Sequence, residues 1–469
     1  MSRKSKTLII ILGVLVLLGG GYYGSTIWKK KKAAPDSAPY TPPAELGNLD
    51  SSELVRIEGP GITVEKKDGA WELSYLESGI PPGGIELDQS QVMYMTFSLA
   101  KVWAESIVEE EPKDLSVYGL GSSASRTSVT DSSGRKVTYL LGDMTPSRTN
   151  YYMMEEGDPK VYSVSAYAAK YMRFFLDSIR NKILFPAFDL QELTRLKIEL
   201  PNTKIELVTA ETSEELKYSS PFSTFLMISP YKIPRGVNNE NLNKLLAPLN
   251  NLTVVDFIDN PSSPAQYGLD KPVRLFLQAG ENALDLLIGS GLDGKHYAKL
   301  ANPPAGSGTI FTLNNMDAIV NAKAFDLLDR FVFLVNIDSV DHLTIKGAGK
   351  TFKADFQKSG DDPVFIMNGR KTETASFRIF YQSVIGLLAD ADYSAAVGLR
   401  QGATGEAETG NVSIVYELNT PPGEKVSITL IPQNRDFYAA EQEGAMDFLI
   451  SRNQVRKIFE TADTIKYED

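Results

Sequence analysis

No cysteine occurs among the 469 residues, and histidine occurs only at His296 and His342. The first absence excludes disulfides, thiolate nucleophiles and thiolate metal ligands. With only two histidines, a zinc site built on either would depend on carboxylates distant in sequence. Basic residues are the minority charge. The first 32 positions hold seven of them and no acidic residue, so the remaining chain carries 41 basic against 59 acidic side chains, a net charge of −18. Nucleic acid and anionic lipid are poor partners for such a surface. A nucleophile-elbow G-x-S-x-G is also missing, and spacing alone selects no glycosidase pair among 59 carboxylates.

Against these absences stands one long uncharged run, Thr7 to Trp28, flanked by Arg3, Lys4 and Lys6 and by Lys29 to Lys32. Its 22 residues reach about 33 Å as a helix, enough for a hydrocarbon layer of roughly 30 Å. Residues 1–32 are therefore expected to form a membrane anchor with basic flanks. The competing reading is a cleaved signal peptide ending at Gly19 to Gly21, but hydrophobicity resumes through Tyr22, Tyr23, Ile27 and Trp28, as suits an interfacial anchor. Charge bias across the segment is nearly even, so orientation rests on the short leading tail. That tail implies a single-pass signal anchor with a cytoplasmic N-terminus and an extracytoplasmic body. Gly20 and Gly24 form a small-xxx-small pair through which the segment can pack on a partner helix. Residues 33–50, rich in proline and alanine, read as an extended linker.

The body is 42% hydrophobic over the whole chain, sufficient for folded cores, and its length implies about three domains. Internal duplication organises it. Tyr118-Gly119-Leu120 recurs as Tyr267-Gly268-Leu269, Gly142 of VTYLLGD corresponds to Gly289 of LDLLIGS, and Tyr152 corresponds to Tyr297. A third copy lacks the triplet but keeps VSIVYEL, KVSITLI and FYAAEQE, whose Tyr438 aligns with Tyr152 and Tyr297 by sequence. Each copy opens on paired strands and passes through a polar loop into an amphipathic helix. Two or three alternating strands follow, then a second helix. The first helices are predicted after Asp88, after Asn238 and Asn239, and after Thr374, with Pro248 breaking the second. The second helices are predicted over AYAAKYMRFFLDSI, NMDAIVNAKAFDLLDRF and NQVRKIFETADTI. The expected fold class is α+β: an N-terminal transmembrane helix, then three related repeats of antiparallel sheet with packed helices. Their expected spans are 51–188, 189–336 and 337–469, the last divergent.

The Tyr-Gly-Leu triplets read either as a binding motif or as packed turns in which glycine reverses the chain, and packing accounts for them more simply. Full burial of Tyr118 and Tyr267 is expected on that account. Gly289-Ser290-Gly291-Leu292-Asp293-Gly294 matches a dinucleotide fingerprint formally, yet KHYAKL after it alternates like a strand where phosphate binding needs a helix, so a hairpin loop is expected. Asp390, Asp392 and Ser394 imitate the start of a calcium loop, but Ala395 and Gln401 replace its glycine and bidentate glutamate. Glu109, Glu110 and Glu111 before Pro112 read as a solvated loop. No catalytic, cofactor-binding or metal-ligating residue is selected, and no cofactor is expected.

The anchor running into GGGYYG and W-K-K-K-K, the DGAWEL strand, the Tyr-Gly-Leu turns and the helix ending in IRNKIL resemble a bacterial domain-of-unknown-function family of membrane-anchored repeat proteins. The resemblance implies genes beside gliding-motility-type ABC transporters and carries over no catalytic residue. Gly398-Leu399 follows Val397 where tyrosine is expected, so the third copy departs most. The expected function is a noncatalytic accessory or scaffold component of an ABC-transporter or cell-envelope assembly. Its expected partners are the membrane through residues 7–28 and transporter or auxiliary membrane subunits. The alternative is a cell-envelope glycan-active hydrolase or glycan-binding protein.

Overall fold

The computed structural model describes residues 44–468 apart from 81, 83, 211–222, 304–307, 333, 360–361, 395–409 and 420–421. The expected anchor, Thr7 to Trp28, and the linker up to residue 43 lie outside the described residues. Among the described residues no helix is long and apolar enough to cross a membrane. The chain divides into two compact units, one ending at Asn181 and one beginning at Lys182.

The architecture is sheet-rich α+β, built on antiparallel sheets with a few helices. The first unit carries an eight-stranded sheet. In spatial order it runs Ala70–Leu76, Ile62–Lys67, Leu54–Gly59, Ser125–Asp131, Lys136–Met144, Asn150–Glu155, Val161–Ser165 and Ser106–Glu109. The second unit carries two nine-stranded sheets. One repeats the same order from Phe225–Ser229 through Leu193–Leu200 and Val273–Ala279 to Phe257–Ile258. The other does so from Asp362–Met367 through Val340–Gly347 and Val412–Asn419 to Ala391–Asp392. Each adds a two-residue edge strand, Arg235–Gly236 or Arg370–Lys371.

The correspondence extends to irregularities. Where each sheet's third strand in that order meets its fourth, the register slips at one place: between Leu54 and Arg56, between Leu193 and Arg195, and between Val340 and His342. A bulge is a fixed local bend, so its recurrence marks one backbone design used three times.

Between strands of each sheet lies a helix: Gln89–Ala100, Asn239–Leu246 with a 3₁₀ turn over Ala247–Leu249, and Thr374–Ile385. Pro248 ends the α-helical part of the second, as a proline without an N–H must. Asp88 and Asn238 accept from backbone amides in the first turn, whereas the third helix begins one residue earlier than expected, with Glu373 at the N-cap and no side-chain cap. Each cap amide is pinned across the layer: Asp88 N to Ile179 O, Asn238 N to Leu327 O and Glu373 N to Lys466 O. The second helices differ from expectation in two copies. The first is split into Ala166–Met172 and Leu176–Ile179, and the second into Asp317–Val320 and a 3₁₀ turn over Ala324–Leu327. Only Arg452–Asp463 is continuous.

The first helices bury one face by matched positions: Val92, Met95, Thr96 and Leu99; Leu242, Leu245, Leu246 and Leu249; Phe377, Phe380, Tyr381 and Val384. In the first unit that face meets Ile57, Val129 and Tyr139 of the sheet. In the second unit both sheets share one core. Each buried aliphatic side chain contributes about 1.5–3 kcal/mol. A buried ion pair also crosses between those two sheets. Arg235, 3% exposed, reaches Asp447 Oδ2 at 2.7 Å and Gln442 Oε1 at 2.6 Å, with its guanidinium over the Phe448 ring.

Candidate functional site

The Tyr-Gly-Leu triplets form the most regular constellation, and their geometry explains them. Tyr118 ends a 3₁₀ turn over Leu115–Tyr118 and Tyr267 ends one over Pro264–Tyr267. Gly119 and Gly268 follow in the left-handed region, at φ 65° and 68°. Each tyrosine carbonyl then lies against a strand glycine. A Cβ on Gly142 would stand 2.1 Å from Tyr118 O, and one on Gly289 2.0 Å from Tyr267 O. Both glycines sit where the register slips against the next strand, between Leu141 and Met144 and between Ile288 and Gly291. From that next strand Tyr152 and Tyr297 meet the triplet tyrosines edge to face, at 5.0 Å in both copies. Leu120 and Leu269 are buried, but Tyr118 and Tyr267 are only half-buried, which corrects the expectation of full burial. The constellation is a clamp between a turn and a bulge.

The third sheet lacks every described part of this clamp. Its strand pairing is regular there, Ile431 opposes Ala439, and the residue at the position of Tyr152 and Tyr297 is Ala439. Counting from the last residue of the strand before the second helix (Ser165, Asn314 and Ser451), Tyr438 stands at the position of Tyr151 and His296, one residue away from its alignment by sequence. Residues 397–399 lie outside the described residues.

The remaining sequence candidates fall apart in space. Asp293 and Gly294 turn a hairpin between Asn282–Leu292 and Lys295–Leu300 with φ 51° and 77°, so the glycine-rich motif has no helix to present to a phosphate. His296 is buried beneath Gly291 with Nε2 3.7 Å from Asp317 Oδ1, while exposed His342 pairs with Asp355 at 2.7 Å on another sheet. Asp390 accepts from Ser451 N and Gln454, and Asp392 from Ser394 N and the Tyr231 hydroxyl, so these acids are committed to holding loops. Glu109 accepts from the Tyr118 hydroxyl, a bond that raises the phenol's pKa. No group of three metal-ligating side chains is present among the described residues.

A shallow cavity of about 200 Å³ on the second sheet is lined by Arg195, Lys197 and Arg274. Each of these cations has a carboxylate: Glu206, Glu199 and Asp285, the last held through two bonds. The larger cavity, about 410 Å³, lies in the first unit between Gln91 and Met95 of the first helix and the stretch 166–179. Its walls are mainly apolar, with Lys170 and Arg173 at the polar side. Arg173 donates to Gly142 O at 2.7 Å and lies over the Tyr151 ring. Tyr171 lines it too. The hydrogen bond with Tyr167 at 3.2 Å, helped by desolvation, pushes its phenol up to about 12, so it stays neutral at physiological pH. This lining can hold an amphipathic group, and it brings together no nucleophile with a base.

Residues 80–272 match the model of a domain of unknown function, DUF4340. The matched segment runs from the loop before the first helix to just beyond Tyr267-Gly268-Leu269 and crosses the division between the two units. No curated protein and no solved structure matches the chain.

Proposed function

We propose that the protein is a membrane-anchored extracytoplasmic scaffold, an accessory component of an ABC-transporter or cell-envelope assembly. The observation that carries this reading is one strand order used three times, with matched bulges and matched helix burial but different outward side chains. Repetition of a fold with divergent surfaces suits a body that offers several contact faces in fixed array. The 22-residue uncharged segment supplies the anchor, and tethering by a linker raises the effective concentration of body and membrane partner to about the millimolar range. The anchored family to which the sequence is similar, with its transporter-linked genes, points to the same class of partner. Affinity purification of the full chain from gently solubilised membranes, followed by mass spectrometry, is expected to recover transporter or auxiliary subunits. Recovery of none, together with turnover of a cell-wall substrate abolished by one carboxylate substitution, would replace the scaffold with an enzyme.

A further inference from the structure

The three first helices bury identical positions, so their exposed positions can be compared one for one. At the places of Met93, Tyr94 and Phe97, the second helix with its 3₁₀ extension has Asn243, Lys244 and Ala247, and the third has Arg378, Ile379 and Gln382. Only the first turns a wholly apolar set outward, and Phe97 is 57% exposed. The set continues beyond the helix. Helix Gln89–Ala100 packs beside Ala166–Met172, Tyr171 bonds Tyr167, and Phe175 lines the adjacent cavity. Trp103 follows the helix in strand Val102–Trp103. Among the described residues, all six exposed aromatic side chains, Tyr75, Tyr94, Phe97, Trp103, Tyr167 and Phe175, belong to the first unit. Met93, Tyr94 and Phe97 make the outward face of the first helix wholly apolar beside the Tyr167–Tyr171 pair, and apolar faces of this kind mark interaction sites.

Where the chain enters the fold identifies the occupant. The strand Glu45–Leu46 pairs with Val102–Trp103, Leu49 N donates to Ala100 O, and Ala104 N donates to Ala44 O. The polypeptide thus arrives beside the C-terminal end of this helix. Fifteen residues, 29–43, separate that point from Trp28, a span of at most about 50 Å. A mixture of tryptophan, tyrosine, phenylalanine and methionine has the composition of a bilayer interface, where amphipathic rings rest at headgroup level. The acidic body disfavours anionic headgroups, so insertion here is apolar and not electrostatic.

We propose that the outward face of helix Gln89–Ala100, with Trp103 and Tyr167, seats the first unit on the zwitterionic lipid–water interface of the membrane that holds the anchor. This rests on the anchored reading of residues 7–28. Because the chain has no cysteine, single spin labels can be placed in the full protein without background. Labels at Phe97→Cys, Gln382→Cys and Leu18→Cys, in phosphatidylcholine vesicles, are compared by collision with oxygen, which partitions into lipid, and with a water-soluble nickel chelate. The Phe97 label is expected to favour oxygen several-fold over the Gln382 label, with no loss of the preference in high salt. A Leu18 label that stays in water overturns the anchor itself. If Leu18 is embedded and the Phe97 label is as nickel-accessible as the Gln382 label, the seating alone is overturned. Shielding of the Phe97 label from both colliders also overturns it, assigning the face to a second copy of the chain.

Discussion

The first and third helices meet their sheets through the same four positions but present different chemistry outward, wholly apolar in the first and mixed in the third. Where Gln89–Ala100 shows Met93, Tyr94 and Phe97, Thr374–Ile385 shows Arg378, Ile379 and Gln382. Packing fixes the inner residues in both and leaves the outer ones free to differ. The sheets differ in a parallel way. The first closes its core alone, whereas the second and third share a core and the buried Arg235–Asp447 pair.

That contrast is broken most severely at Arg235. Arg235→Ala leaves buried Gln442 and mostly shielded Asp447 without their cation and is expected to cost about 3 kcal/mol. Calorimetry should place the loss in a transition assigned to the second unit, with the transition of the first unit unmoved. The clamp gives the next effect. Gly289→Ala drives a methyl into the Tyr267 carbonyl and is expected to cost about 2–3 kcal/mol in denaturant unfolding, while Ile431→Ala, at the regular site of the third sheet, shows only the loss expected of side-chain truncation. Tyr267→Ala, half-buried and losing its edge-to-face contact with Tyr297, should cost about 2 kcal/mol, below the value for a fully buried ring.

Acid titration probes an inner strand of the second sheet, Thr203–Thr209. Glu206 is 4% exposed. Desolvation raises its pKa, but the bonds from Lys204 and Arg195 outweigh that and hold it below the usual carboxylate value. A lowered folded-state pKa adds stability above the unfolded value, near 4.3, that disappears as pH falls through the folded one. Glu206→Gln is therefore expected to cost about 1–2 kcal/mol at neutral pH and progressively less towards pH 3, measured by urea unfolding across that range.

Much of the fold was legible because strand alternation and helical spacing are local. The Asp88 and Asn238 caps and the break at Pro248 fall where the sequence puts them, and the Tyr-Gly-Leu triplets announce a repeated turn. The function of the strand glycines was not legible. Gly142 and Gly289 matter through carbonyls that approach from about 20 residues upstream, and a bulge leaves no local signature. The same hidden register misaligned Tyr438, because a one-residue slip exchanges the faces of a strand. Half-burial of Tyr267 was missed for a related reason: its partner, Tyr297, covers one side of the ring only. The apolar outer face of the first helix was present in SQVMYMTFSLA, but separating its exposed from its buried residues required the neighbouring layer.

An outer face that is apolar for contact and not for folding tolerates a polar side chain at little cost to stability. Phe97→Gln installs the residue that the third helix uses at the same place, with little change in helix propensity. Urea unfolding of the full chain in detergent is the direct measurement. A change within about 0.5 kcal/mol is expected, as for an ordinary surface substitution, and a loss above about 2 kcal/mol would contradict a contact role by placing Phe97 in the core.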